Sequence, residues 1–219
     1  MGGYKNRILE VDLSSGKMDI SDVSEDDKKR FIGGSGVSAK LFLDRFDIRS
    51  SALSPENPLM ILNGPLTGTN LPGTSRFVVC GKSVLTGIWG ESACGGNFGP
   101  ELKMAGWDGI VFKGASEKPV FLLIEDSQCE LHDAADLWGK DIYQTTDFLK
   151  ASHGDGKQVK VFAIGRAGEN LVKFAGIGND KGHFAGRTGM GALMGSKKLK
   201  AIVVRGSGVA EPAFREEYR

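Results

Sequence analysis

The sequence predicts an α+β domain dominated by β-sheet, with two related sheets and short helices, on three observations. Strand-patterned segments outnumber helical ones and the helices are short, which a regular parallel βαβ sheet would not give. Glycine supplies 32 of 219 residues, about twice the ordinary ~7%, and it punctuates apolar segments instead of forming linkers. Two stretches of the first half echo two of the second: MILNGPLTGT resembles VFAIGRAGEN, and GGNFGPELKMAGWDGIVFKG parallels GMGALMGSKKLKAIVVRG. Two similar halves would give a pseudo-twofold pair of glycine-rich corners. Chance similarity between glycine-rich strands would give the same echo, and the residues alone leave both readings open.

The elements follow in order. Asn6 to Leu13 alternates apolar and polar residues, SSGK turns, and MDISDV continues, which is a β-hairpin pattern. Ser24 is placed to cap EDDKKRFI, and GGSG separates that helix from VSAKLFLDRF, whose apolar residues recur at helical spacing. A buried strand Leu59 to Leu62 ends at Gly64-Pro65; RFVVCGKS, GIWGES and GIVFKG are further strands, with GPELKMAG as a short helix before the last. VFLLIEDSQCELHDAA reads as a second hairpin turning at Glu125 to Gln128, DIYQTTDFLKAS as a helix, and QVKVFAIG and KFAGIGND as strands. NDKGHFAGR reads as loop, GMGALMGSKKL as helix and KAIVVRG as a closing strand. The tail EPAFREEYR begins like a helix with Pro212 in its first turn, so residues 1–208 read as one domain and 209–219 as the start of a linker or helix beyond it.

Composition removes several function classes. A balance of 28 Lys+Arg against 27 Asp+Glu leaves a net charge of +1, so no global field favours nucleic acid or a membrane surface. No run approaches the ~18 apolar residues of a membrane span, and the N-terminus lacks the apolar run of a signal peptide. The Met-Gly start carries Asn6 where a myristoylation motif wants Ser or Thr. Cys80, Cys94 and Cys129 are widely spaced without C-x-x-C, which gives no disulfide framework or zinc site and makes reduced, cytoplasmic thiols the expectation.

The chemistry concentrates in two glycine-rich corners. Gly189-x-Gly191 invites a dinucleotide reading, but the preceding residues read as loop and the third glycine comes one place late, at Gly195. A Walker A loop is excluded by glycine spacing and by Ser196 preceding Lys197. What remains is small residues that admit an anion to backbone N–H groups, a helix N-terminus, and Arg187 as a bidentate fork. The alternative is close packing, with Lys197, Lys198 and Lys200 solvated. In the first corner, Arg76 at a strand start either marks a strand end in water or reaches into a site, and Gly95-Gly96 is a bulge or a close approach. Cys94 reads as an inert small residue, His132 and His153 as solvated turn residues, and His183 as the one histidine near a site. No nucleophile elbow, zinc-protease helix or calcium loop is present, so no catalytic residue is assigned.

Taken together and in order, SPENPLMILNGPLTGT, the arginine of TSRFVV, GGNFGPELKMAGWDGIVFKG, AIGRAGENLVKFAGI and AGRTGMGALMGSKKLKAI resemble the N-terminal domain of tungsten-containing aldehyde ferredoxin oxidoreductases, from Tyr4 to Gly206. The resemblance implies a β-rich base on which a tungstopterin (a bis-pyranopterin tungsten centre, with molybdenum as the other metal) sits, its phosphates bridged by Mg2+. Carried onto matching positions, it implies Arg76, Ala93 and Gly95 from the first corner and His183, Phe184, Gly186 and Arg187 from the second. Ala93 and Phe184 would act through main-chain carbonyls on magnesium, and Arg76 would lie between the pterin and a 4Fe–4S cluster. The chain departs from the family at Ala93, where Asn is frequent, at Cys94, usually small or hydroxylic, and at His183-Phe184, which replace Arg-Ala. The implied partners are ferredoxin, an aldehyde, and downstream domains that hold the cluster cysteines and catalytic acid–base residues; a homo-oligomer is left open. The other readings are a related tungsten enzyme reducing an aromatic acyl thioester, and a non-catalytic module binding a phosphorylated ligand.

Overall fold

The computed structural model describes residues 2–69, 71–154 and 159–210; the expected helix start in 211–219 lies outside them. The first half runs β1 (Ile8–Asp12), β2 (Met18–Ser21), α1 (Glu25–Phe31), α2 (Gly34–Arg45), β3 (Leu59–Asn63), β4 (Phe77–Lys82), β5 (Trp89–Cys94), α3 (Phe98–Met104) and β6 (Gly109–Lys113). The second runs β7 (Val120–Glu125), β8 (Gln128–Asp133), a 3-10 turn (Ala135–Leu137), α4 (Ile142–His153), β9 (Lys160–Ala163), α5 (Arg166–Glu169), β10 (Ile177–Asn179), β11 (His183–Ala185), α6 (Met190–Ser196) and β12 (Leu199–Arg205).

The echo between the halves is a repeat of topology. One sheet has the order β2-β1-β6-β3-β4-β5 and the other β8-β7-β12-β9-β10-β11, read from the corresponding edge. In each, the hairpin strand pairs parallel with the last strand of its half, β1 with β6 and β7 with β12, and the remaining pairs are antiparallel. The helices cross reciprocally. α3 touches β9 and β12 of the second sheet, whereas α6 touches β3, β4 and β5 of the first, as a twofold relation requires.

Strand alternation divides the apolar residues between three layers. Leu59 and Ile61 of β3, Ile110 and Phe112 of β6, and Ile202 and Val204 of β12 turn inward to the central core between the sheets, with Phe98 and Leu193 of α3 and α6. Met60, Leu62 and Val111 face outward beneath Val37, Leu41 and Phe42 of α2. Phe121, Val161 and Val203 face outward on the other sheet beneath Leu149 of α4. Phe77, Phe98 and Phe162 meet in the centre with ring centroids 5.0–5.3 Å apart, joining the halves.

Local signals hold at the helix starts. Ser24 accepts from the Asp27 amide, and Asp141 with Gln144 forms a full capping box. The structure corrects four expectations. The GGSG segment is not a separator: α2 starts within it, at Gly34, and a Cβ on Gly36 would lie 2.4 Å from the Phe31 carbonyl oxygen, so glycine there lets α1 and α2 meet at a tight corner. NDKGHFAGR contains β11, whose three residues pair with β10 but are too few to show a period. Lys197 and Lys200 are fully buried, while Lys198 is exposed as expected. Lys197 Nζ donates to the carbonyls of Pro55 and Gly114 at 3.1 and 2.9 Å, tying the end of α6 to loops of the first half. Lys200 pairs with buried Glu169 and donates to the Lys140 carbonyl at 2.7 Å. Finally, His132 and His153 are not free turn residues. Their rings flank Phe121, His132 stacked at 5.1 Å and His153 edge-on at 5.6 Å, and burial lowers the His153 pKa.

Candidate functional site

The site forms where an edge of each sheet meets. β5 and β11 are the edge strands of their sheets, and they touch without sharing a hydrogen-bonded ladder. The junction is made by bonds that reach across. The Arg187 amide donates to Ser92 Oγ at 3.1 Å and Asn179 Nδ2 to the Gly95 carbonyl at 2.6 Å, while the Thr188 hydroxyl, which donates to the Arg187 carbonyl at 2.7 Å, lies 3.4 Å from the Glu91 carbonyl. The expected residues of both corners, Ala93, Gly95, His183, Phe184, Gly186 and Arg187, therefore come together in one seam. Arg76 stands just before Phe77, which is registered with Cys94, so its backbone lies beside the first corner.

Register decides which main-chain groups face the seam. In β5 the Glu91 carbonyl is turned away from β4, and period-two alternation turns the Ala93 carbonyl the same way. In β10, Asp180 donates to the Val161 carbonyl of β9, so Asn179 and Ile177 face β11 and pair with His183 and Ala185. Phe184, between those two, turns its own N–H and carbonyl to the free edge. Both carbonyls expected to act as metal ligands thus point out of their sheets toward the same junction. The Phe184 ring crosses back over Gly178: a Cβ there would lie 3.2 Å from Phe184 Cε1 and 2.8 Å from Ile142 Cγ2.

The side chains at the seam are largely open to solvent. Ala93, Gly186, Arg187, His183 and Arg76 are exposed, as are Phe184 at 46% and Phe174 at 73%. Gly95 packs against the His183 ring, 3.3 Å from Cδ2 to a would-be Cβ. Cys94 points inward; burial pushes its thiol up to about 11, against the pull of a hydrogen bond with the Asn179 side chain and of the nearby Arg76 charge, which fits the inert role.

The glycines of the second corner divide between two tasks. Gly186 has open space around it, with only Phe184 Cβ at 3.9 Å. Gly189 has φ +73° and Gly191 and Gly195 abut backbone: their Cβ atoms would lie 2.1, 2.4 and 2.0 Å from the carbonyl oxygens of Lys173, Gly176 and Gly168. These three are packing glycines. The expected anion-binding helix N-terminus is also taken up, because α6 is buried and the Gly191 amide donates to the Ala175 carbonyl at 2.9 Å. Of the described stretch 186–195, Gly186 and Arg187 remain for a ligand, beside the Phe184 carbonyl. Sequence reasoning missed Asn179, Ser92 and Thr188, whose roles come from a junction between segments far apart in the chain.

A family model described as "Aldehyde ferredoxin oxidoreductase, N-terminal domain" matches residues 8–206. The chain belongs to the aldehyde ferredoxin oxidoreductase family. Among curated relatives of that name, the tungsten-containing aldehyde ferredoxin oxidoreductase of Thermococcus kodakarensis is 47% identical over 207 residues, covering 94% of this chain and 34% of the relative. The Pyrococcus furiosus enzyme of the same name is 44% identical over 218 residues, covering 100% of this chain and 36% of the relative. A solved structure titled as the active site complex BamBC of benzoyl coenzyme A reductase with 1,5-dienoyl-CoA aligns with a TM-score of 0.92 at 38% identity, over 95% of this chain and 32% of that one. The chain spans about a third of the length of the relatives it matches. It is the N-terminal domain of the aldehyde ferredoxin oxidoreductase architecture, and the tungsten of the relatives' names is a property of the family. Among the described residues no helix is long and apolar enough to cross a membrane.

Proposed function

We propose that this chain is the cofactor-cradling base of an oxidoreductase that converts aldehydes to carboxylic acids at a tungsten bis-pyranopterin centre, passing electrons through a 4Fe–4S cluster to ferredoxin. The observation that carries the reading is the seam, where register turns the Ala93 and Phe184 carbonyls toward one junction with Arg187 exposed beside it. Neutral carbonyl oxygens suit a hard cation such as magnesium, and this contact does not depend on the side chain, so Ala and Phe serve where the family has other residues. Arg187 and Arg76 suit the phosphates and the charge of the pterin, Arg187 through a bidentate fork. His183 offers a ring that packs on Gly95 and Gly96 and fewer donors than the arginine it replaces. When bound, the tungsten–pterin supplies the redox chemistry, and this chain supplies orientation and electrostatics.

On this reading the cluster ligands and acid–base groups lie in downstream domains, as the family resemblance implies, and the chain alone is inert. Anaerobic purification of the complete polypeptide carrying this domain should yield tungsten or molybdenum with pterin; absence of both after reconstitution defeats the proposal. A second reading, reduction of an aromatic acyl thioester by a related tungsten enzyme, draws on the 38% identity to the benzoyl coenzyme A reductase complex. Assay of the complete polypeptide with aldehydes against aromatic acyl-CoA separates the two.

A further inference from the structure

The seam contains one buried polar side chain that the expected ligand residues do not account for. Asn179 ends β10 and is fully buried. Its Nδ2 donates across the seam to the Gly95 carbonyl at 2.6 Å, while its Oδ1 is buried without a partner among the described residues. An amide oxygen left unpaired in the interior is unfavourable, and an apolar residue would avoid it. What an apolar residue could not do is bond the opposite corner.

That bond has a defined place in the junction. Glu91, Ala93 and Gly95 alternate toward the same free edge of β5. The Thr188 hydroxyl, which donates to the Arg187 carbonyl at 2.7 Å, lies 3.4 Å from the Glu91 carbonyl, and Asn179 bonds the Gly95 carbonyl, so the Ala93 carbonyl sits between a covered neighbour and an anchored one. The first corner closes tightly on this strut. Gly96 has φ +84°, and a Cβ there would lie 2.6 Å from Asn179 Nδ2 and 2.9 Å from His183 Nδ1, so no side chain fits between the turn and the amide. On the other side, Asn179 is registered with His183, next to Phe184. One residue therefore touches the backbone of the first corner and fixes the strand that carries the second.

We propose that Asn179 is a positioning residue: it locks the Gly95 carbonyl to the second corner, sets the spacing of the two corners and presents the Ala93 carbonyl as the open acceptor of the seam. The role rests on the reading of the seam as a cradle for magnesium and phosphate, and the two are tested separately. Asn179→Leu keeps the size and loses the donor. In this variant the Arg187 amide, bonded across the seam to Ser92, should exchange with solvent about tenfold faster, the worth of one hydrogen bond, while amides of β3 and β9 in the core keep wild-type rates. Binding of magnesium pyrophosphate, measured by calorimetry, should weaken by a similar factor. Asn179→Asp adds a readout that simple packing would not move. A protonated carboxyl can donate to the Gly95 carbonyl, and a carboxylate repels it, so seam exchange should rise as the carboxyl ionises; His183 and Cys94, which face this position, and the Arg76 charge beside Cys94 are the same in wild type, so the rise is read relative to wild type at the same pH. Unchanged Arg187 exchange in Asn179→Leu, or acceleration spread equally through the core, overturns the role. If the Leu variant does not fold, a pH-independent Asp variant overturns it instead. Failure of the wild-type chain to bind magnesium pyrophosphate counts against the cradle and leaves the exchange result to decide Asn179.

Discussion

Replacing Gly195 by alanine tests whether the glycines of α6 are there for packing. In an exposed helix interior, Gly→Ala is worth about 1 kcal/mol of stabilisation. Here the new Cβ would stand 2.0 Å from the Gly168 carbonyl oxygen and 2.7 Å from its carbon, about 1.3 Å inside an ordinary ~3.3 Å carbon–oxygen contact. The obstacle is the backbone of α5, which has no rotamer to change, and α5 is held in turn by the buried Lys200–Glu169 pair. Overpacking of this kind costs ~1–3 kcal/mol or more, which exceeds the helix gain when the neighbour cannot yield. A net loss of about 2 kcal/mol is expected, read as a lower urea midpoint at constant slope. Gly182→Ala is the control, since nothing lies within 4 Å of its Cβ and its φ is ordinary; it should be neutral or stabilising by up to ~1 kcal/mol. A Gly195→Ala protein as stable as wild type would refute the packing argument and return those glycines to ligand binding.

Three further expectations follow from the same contacts. Burial lowers the Lys197 pKa from 10.5 to about 8; the unfolded chain then binds more protons between those values, so the cost of the buried charge is full below pH 8 and fades as pH rises to 10.5. Wild type should gain up to about 3 kcal/mol on Lys197→Met across that interval in parallel urea titrations, and a constant difference would contradict it. Asp141→Ala removes the capping box of α4 and should lower stability by ~0.5–2 kcal/mol, seen as a shifted thermal midpoint. Burial pushes the Cys80 and Cys94 thiols up to about 12 and about 11, so both should resist iodoacetamide in the native chain at pH 8 and react on unfolding; rapid native labelling of Cys94 would disprove its inert role.

Legibility in the sequence followed the range of the forces involved. Helix caps such as Ser24 and Asp141 and the Glu125–Gln128 hairpin turn are set by neighbours in sequence, and they were readable. The repeat showed at strand-plus-turn segments because both halves need the same turn after β3 and β9. Three lysines within four positions after Ser196 look solvated, which holds for Lys198, whereas the burial of Lys197 and Lys200 depends on carbonyls at Pro55, Gly114 and Lys140 that are far away in sequence. The site residues came from resemblance; residues alone could not show that Ser92 and Arg187, or Gly95 and Asn179, are bonded. Glycine spacing excluded a nucleotide loop, but only the backbone separates Gly186, which is open, from Gly191 and Gly195, which are packed.

The cradle role requires that the seam hold a metal–pterin through its arginines and carbonyls. The most direct measurement is tungsten and pterin content of the complete polypeptide, purified anaerobically, in wild type and in Arg76→Ala and Arg187→Ala proteins that retain wild-type thermal midpoints. Stoichiometric tungsten and pterin in wild type, with both lowered in each variant, is the predicted result. Equal occupancy in all three would contradict the assignment of the seam as the cofactor cradle.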